Sequence, residues 1–414
     1  MRKNCKQIAL NTLHISQIMN VLIVAERFWP EVGAAPSRLL NMAEGLKEQG
    51  CDVDVVTSLP NYPKGEIFEG YKRCISKYES HRGINIFRYW VYATVSHNPI
   101  ARAVNMFSFA IMIWLFAFKF KRIKQYDYIV IQTPTLVSAV SAMILFKKVF
   151  RKKCILNVSD IWPSTAVDMG VMKVGSRSYN FMAWCEKFLY KNCAAVLGQS
   201  QEILDHVKKY IPSTPQMLYR NLQSHQTQEP HTSKHKPLRL VFSGMLGVAQ
   251  DVLSIVKNVP FKDLDVEFHI IGGGKQFEEI KQYVDTTPDC GIHLYGFMPK
   301  EKIPSLLREF DASIVPLVTH IQGAFPSKIY DIIPLGLPIL FCGKGEPANF
   351  ITANLLGYTS LPRNYDTLIH NIHEINNLSD VAYQELSKRC IEISNTLLDF
   401  NLQMSETVTF IKSI

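Results

Sequence analysis

Residues 223–244 read QSHQTQEPHTSKHKPLRLVFSG, and this stretch decides the fold. Gln223–Pro237 is nearly devoid of apolar side chains, a composition that cannot bury a face and predicts a linker. Leu238–Phe242 then opens as a short apolar run closed by Ser-Gly, which predicts a buried strand. Upstream, the same strand signature recurs at Asn20–Ala25, Asp52–Thr57, Ile84–Tyr89, Tyr128–Gln132, Lys153–Val158 and Ala194–Gly198. Helical patterns at Ser37–Gln49, Ala101–Lys124, Leu136–Phe150 and Tyr179–Asn192 separate them. Downstream, strands are expected at Val266–Ile271, Ile292–Tyr295, Ala312–Val315 and Pro338–Phe341. Apolar strands alternating with amphipathic helices give a parallel sheet covered on both faces. The fold class expected is therefore α/β, with two Rossmann-like doubly wound domains facing across a cleft. The division is 1–18 as an extension, 19–222 as the first domain, 223–237 as linker, 238–381 as the second domain and 382–414 as a helical tail.

Composition permits this. A chain of 414 residues with 47% hydrophobic content buries a core large enough for two domains. Nine cysteines are scattered at 5, 51, 74, 154, 185, 193, 290, 342 and 390 without a Cys-x-x-Cys pair, which points to a reducing cytoplasm rather than a disulfide or zinc framework. His225, His231 and His235 in the linker lack cysteine or acidic partners at fixed spacing and read as solvated. Residues 1–18 hold three basic groups and no sustained apolar core, so no cleaved signal is expected and Met19 is a candidate start.

The net charge of +9 is unevenly placed. The apolar run Met106–Phe118 leads into Lys119, Lys121, Arg122 and Lys124, and Leu136–Phe146 leads into Lys147, Lys148, Arg151, Lys152 and Lys153. The first run is too short to span a bilayer, but its Phe and Trp content beside a basic cluster suits an interfacial helix on anionic lipid. A buried core helix gives the same pattern. No basic-aromatic module for nucleic acid is present.

The chemistry concentrates in Pro326–Pro338, PSKIYDIIPLGLP. Pro326 and Ser327 suit a first helical turn, Lys328 adds a cation, and Asp331 lies one turn on, where a carboxylate can hold two vicinal hydroxyls. Gly336–Pro338 stops the helix ahead of an apolar strand. Taken alone, the segment reads first as an ordinary amphipathic helix with a chance Lys and Asp.

Other stretches stand with it in order: ERFWPEVGAAPSRL (26–39), SLPNYPKG (58–65), SDIWP (159–163), FSGMLGVAQD (242–251), IIGGG (270–274), LYGFMPK (294–300) and DASIVPL (311–317). Together, from about Asn20 to the C-terminus, they resemble glycosyltransferases of family 4, with the GT-B fold. The branch most similar is the amino-deoxysugar (N-acetylfucosamine-type) transferases of bacterial surface-polysaccharide assembly. The resemblance implies a retaining enzyme that moves a sugar from a nucleotide donor, UDP-linked by expectation, to a lipid-linked saccharide. No cofactor and no metal ligands are implied, and Asp52 and Asp54 read as strand residues rather than a metal motif. The implied location is the inner face of the cytoplasmic membrane, with the tail packing back on the first domain.

Carried over residue by residue, the resemblance gives a donor site of Gly33, Gly244, Met245, Gly247, Gln250, Gly296, Phe297, Gly323, Ala324, Phe325, Pro326, Ser327, Lys328 and Asp331. Relatives place Arg and Lys where this chain has Met245 and Gln250, so Lys328 is expected to carry more of the diphosphate charge. Relatives also have a glutamate at the position of Gly323, whose contact is expected to pass to the N–H groups of Gly323, Ala324 and Phe325. Glycines 272–274 read as a tight turn. Asp160, after an apolar strand, is expected to orient the acceptor hydroxyl, with a helix N-cap as its alternative; Asp160, Lys328 and Asp331 form the catalytic set. Arg27, Ala34, Arg38, Asn61, Tyr62 and Trp162 are expected on the acceptor side, along with Glu26 and Lys64. Glu186 and Glu202 read as surface or junction groups. A non-catalytic membrane-docked scaffold and a sugar-nucleotide epimerase are the competing functions.

Overall fold

The computed structural model describes residues 18–96, 98–119, 121–299, 302–319 and 321–414. Apart from Ile18, the N-terminal extension lies outside the described residues. The first eight strands are β1 Asn20–Val24, β2 Asp52–Ser58, β3 Ser76–His81, β4 Ile84–Tyr89, β5 Tyr128–Gln132, β6 Lys153–Val158, β7 Ala195–Gly198 and β8 Gln216–Leu218. They form one sheet in the order β3-β4-β2-β1-β5-β6-β7-β8. β4, β2, β1, β5 and β6 run parallel, and β3 pairs antiparallel with β4 at the edge. The second sheet takes β9 Leu238–Ser243, β10 Val266–Ile271, β11 Ile292–Tyr295, β12 Ala312–Pro316, β13 Ile339–Cys342 and β14 Gly357–Ser360. Its order is β11-β10-β9-β12-β13-β14, parallel throughout.

Every strand expected from the sequence is present. β3, β8 and β14 are additions, because SKYESH, QML and GYTS carry too little apolar content or length to signal a strand. In both sheets the strand order reverses at the first strand: β1 lies between β2 and β5, and β9 between β10 and β12. In open α/β sheets that switch point, at the carboxyl ends of the strands, is where ligands bind. The second sheet packs on Phe242, Phe261, Phe268, Ile270, Leu340 and their neighbours, all buried. Removing apolar surface of this kind from water contributes about 25 cal/mol per Å².

The chain packs as two compact units. Among the described residues, one comprises 18–157, Phe188–Val196 and Met404–Ile414; the other comprises Val158–Lys187 and Leu197–Gln403. This division does not follow the expected boundary at 222/223. Val158–Lys187 and Leu197–Gln403 form the second unit, in which Ser200 and Glu202 bond to the much later Gly323.

The linker is a correction. Gln223–Pro237 has no regular structure, as expected, and about half of its residues are exposed, but several of its side chains dock on the protein. The His225 ring bonds the Ser394 hydroxyl at 2.6 Å, and the His231 ring bonds the Leu335 carbonyl at 3.2 Å. Lys234 donates to the carbonyls of Ile375 and Asn376 at the C-terminus of helix Tyr365–Asn377, and His235 bonds buried Asp311 at 2.9 Å. Polar side chains here replace water with protein partners, which composition alone does not reveal.

Helix Pro99–Lys119 spans 21 residues, longer than the apolar run suggests. One face is core: Phe109, Ile113 and Phe116 are buried, and Phe116 packs on Phe87 and Tyr89. On the other face Ile100, Val104, Phe107, Ile111 and Phe118 are exposed. By length and composition alone, Ile100–Phe118 is long and apolar enough to cross a membrane. The side chains of Lys119, Lys121 and Arg122 lie outside those described.

Candidate active site

In the second unit the site starts at the end of β9. Gly244 follows that strand with φ +142°, and a Cβ there would stand 2.1 Å from the amine of Lys328. The glycine thus leaves the space that the amine occupies. Lys328 Nζ lies 4.1 Å from the centroid of the Phe242 ring, a cation–π contact. Burial lowers the Lys328 pKa to about 8, and the charge of Asp331 opposes that shift. The Gly244 N–H donates to Ile271 O at 2.8 Å, so the glycine makes room for a cation and does not present its own N–H to an anion.

Glycines 272–274 do more than turn the chain. A Cβ on Gly272 would fall 1.9 Å from Gly244 O, and one on Gly274 would fall 2.5 Å from Leu246 O. Leu246 N donates to Gly273 O at 2.9 Å, so the two loops lie backbone against backbone. The Phe297 ring rests on Gly273 and is 76% exposed, an open aromatic surface next to Gly296. Met245 and Val248 are likewise exposed at the loop tip. Gln250 turns inward, and a Cβ on Gly247 would meet its side-chain oxygen at 2.8 Å. Neither Met245 nor Gln250 brings a cation to this loop.

Pro326 caps the short helix Ser327–Ile332 without a side-chain hydrogen bond, and a 3-10 turn, Ile333–Leu335, carries it to Gly336 at φ +73°. Asp331 is exposed and accepts from Gln223 Nε2 at 2.8 Å. The Phe325 ring stacks on buried Tyr330 at 4.8 Å and meets Phe350 edge-on at 5.7 Å, which fixes the entry to this helix.

The expected backbone cradle at 323–325 is corrected. Gly323 N donates to Glu202 Oε2 at 2.7 Å, and Ala324 N donates to Ile321 O at 3.0 Å. Two of the three N–H groups are therefore engaged within the protein. Gly323 O accepts from the Ser200 hydroxyl at 2.9 Å. Glu202 Oε1 also accepts from Glu346 N at 3.0 Å, while Glu202 N donates to Glu346 Oε2 at 3.0 Å. Glu202 is thus the brace of the Gly323 turn. Glu186, read from the sequence as a surface or junction group, is buried and pairs with His206 Nε2 at 2.9 Å.

Asp160 stands partly buried after β6, and its carbonyl accepts from Trp162 N at 3.2 Å. The N-cap of helix Ser164–Asp168 is Pro163. Ile161, the next residue, lies 3.2 Å from where a Gly323 Cβ would be. The second unit therefore gathers Lys328 and Gly244 at its switch point, and sets the residue after Asp160 against Gly323.

In the first unit, Gly33 has φ +152° and precedes helix Ala34–Glu48. A Cβ on it would meet the Tyr62 ring at 3.4 Å, and Arg27 stacks over the same ring at 4.3 Å. Buried Glu31 accepts from Asn61 N at 2.8 Å and Tyr62 N at 2.9 Å; burial raises its pKa and those bonds lower it. Arg27, Gly33, Asn61 and Tyr62 are thereby brought together. Arg38 is buried on the same helix, and Lys64 is exposed.

Glu26 is the residue that sequence reasoning undervalues. It follows β1 at the switch point, its carbonyl accepts from the Ser58 hydroxyl at 2.7 Å, and its carboxyl accepts from the Ser138 hydroxyl at 3.1 Å. Burial pushes its pKa up to about 7, with the Ser138 bond and Arg27 opposing. A signal for it exists: a carboxylate directly after an apolar parallel strand, the same signal that marks Asp160.

Comparison with known proteins agrees with this geometry. Residues 33–218 match the family model of the glycosyl transferase 4-like domain, and residues 238–377 match that of glycosyl transferases group 1. A protein of Escherichia coli (strain K12), provisionally named colanic acid biosynthesis glycosyl transferase WcaI, is 21% identical over 77% of this chain and 82% of its own. The structure of trehalose-6-phosphate from E. coli bound with UDP-2-fluoro glucose superposes with a TM-score of 0.67 at 9% identity, covering 95% of this chain and 99% of that one. WaaG, a glycosyltransferase involved in lipopolysaccharide biosynthesis, gives a TM-score of 0.62 at 12% identity over 94% and 99% of the two chains. With consecutive domain models on both α/β sheets, the chain belongs to the GT-B glycosyltransferases of family 4.

Proposed function

We propose that this glycosyltransferase moves a sugar from a nucleoside-diphosphate donor, a UDP-linked N-acetylhexosamine or deoxyhexosamine, to a lipid-linked saccharide with retention of configuration, in surface-polysaccharide synthesis. The observation that carries the donor half is the Lys328 amine, seated in the space left by Gly244 at the switch point of the second sheet. A cation held there takes up the charge that a departing diphosphate gathers. Asp331, one helical turn on, holds the ribose hydroxyls, and the exposed Phe297 ring offers a face to the base. Asp160 orients the acceptor hydroxyl. Glu26, near its neutral-pH titration point, serves the acceptor side as a proton acceptor. The names of the relatives, colanic acid and lipopolysaccharide biosynthesis, support the pathway class, and the UDP-sugar bound by a structural neighbour supports the donor class. The exposed apolar face of helix Pro99–Lys119, with exposed Lys124, Lys148, Arg151 and Lys153 in the same unit, supports work at an anionic membrane surface.

Calorimetry with UDP, GDP, TDP and ADP, without metal and then with magnesium, tests the donor assignment. UDP is expected to bind best. Asp331→Ala and Lys328→Met are each expected to weaken it by tenfold or more while the protein stays folded. Affinity for wild type is expected to fall as pH rises through about 8, where the Lys328 amine loses its charge. Equal UDP affinity in wild type and both variants would remove these residues from the donor site.

A further inference from the structure

The second sheet carries a polar cluster that the sugar-transfer site does not use. Strands of a parallel sheet covered on both faces are ordinarily apolar on both faces. Here Glu267 and His269 of β10, two residues apart on one face, stand beside His293 of the edge strand β11, whose register partner is His269. Their ligand atoms all lie within 4.8 Å of one another. His269 Nε2 is 3.3 Å from Glu267 Oε2, and His293 Nε2 is 4.0 Å from Glu267 Oε1. The two imidazoles lie face to face, with centroids 4.6 Å apart.

From this arrangement we infer a binding site for a divalent transition metal of the zinc type, ligated by Glu267, His269 and His293. Four ligands at about 2.0–2.1 Å from a tetrahedral zinc lie about 3.3 Å from each other, which the His269–Glu267 separation already meets. His293 is about half exposed, so its ring is able to close the remaining 4.0 Å gap. The outer shell is also in place. Tyr295 OH lies 3.1 Å from His269 Nδ1, which leaves Nε2 facing the carboxylate, the arrangement by which a second partner sets the ligating nitrogen. Imidazole and carboxylate together select zinc, cobalt or nickel over magnesium and calcium. Arg239 Nε, 3.3 Å from Glu267 Oε2, competes for the same carboxylate and holds it when no metal is bound. Three protein ligands leave a fourth position to water. The site's role is a clip that fixes the edge strand β11 to β10.

Cobalt(II) titration of the metal-free full chain, followed by visible absorption, tests the inference. One equivalent is expected to bind with the intense bands of four-coordinate cobalt and to be displaced by zinc, while magnesium has no effect. His293→Ala and Glu267→Gln should abolish the spectrum, Tyr295→Phe should weaken affinity about tenfold, and His370→Ala, on an unrelated helix, should change nothing. Zinc should raise the melting temperature of wild type by several degrees and of His293→Ala not at all. Failure to saturate at one equivalent, or a spectrum unchanged in His293→Ala, would overturn the site.

Discussion

A carboxyl group that titrates near pH 7 costs the fold something whenever it is charged, and Glu26 carries that cost. Its folded pKa of about 7 lies above its ordinary 4.5, so below pH 4.5 both folded and unfolded forms are protonated and there is no penalty. Between 4.5 and 7 the unfolded chain loses its proton first, and stability falls as pH rises. Above 7 the full cost remains. Glu26→Gln is therefore expected to be more stable than wild type at pH 8 by about 1–3 kcal/mol, with the difference fading below pH 4.5; denaturant melts at the two pH values measure it. Gly323 makes the opposite kind of residue-scale claim. Placing there the glutamate that the family resemblance implies would put a Cβ 2.7 Å from Ile203 in a backbone of φ +81°. Gly323→Glu is expected to lose about 2–4 kcal/mol and to lower activity, as denaturant melts and a transfer assay would show. A gain in turnover would show that the turn bracing by Glu202 is dispensable.

At the scale of one element, helix Pro99–Lys119 divides its work by face. Phe109, Ile113 and Phe116 hold the first sheet, and Val104 and Ile111 face outward, exposed by 44% and 62%. Val104→Ser with Ile111→Ser is expected to leave the melting temperature within about 2 °C, since exposed sites change stability by less than about 0.5 kcal/mol. The same pair should lower sedimentation with anionic vesicles severalfold, while neutral vesicles bind weakly to both proteins. Unchanged vesicle binding would return this helix to a purely structural role.

For the whole molecule, strand positions and fold class are legible because buried parallel strands leave short apolar runs bounded by turn residues, as at Asn20–Val24 and Val266–Ile271. Lys328 and Asp331 are legible as chemistry, but the seat of the amine is not: it depends on Gly244 and Phe242, far away in sequence. The bracing of Gly323 by Glu202 joins residues 121 positions apart, and no local pattern encodes such a pair. The docked histidines of the linker escape a sequence reading for the same reason, since their partners come much later in the chain. The glycines of the second sheet carry one last consequence. Lys328 fills the space beside Gly244, Gly244 O abuts Gly272, and Gly274 abuts Leu246, so the amine's position is set through three sites with no room for a single carbon. At each of them the amino-acid alphabet offers one acceptable letter, because every other residue brings that carbon with it. The placement of one charge is thereby enforced by side chains that do not exist, on a neighbouring strand's loop as much as on its own.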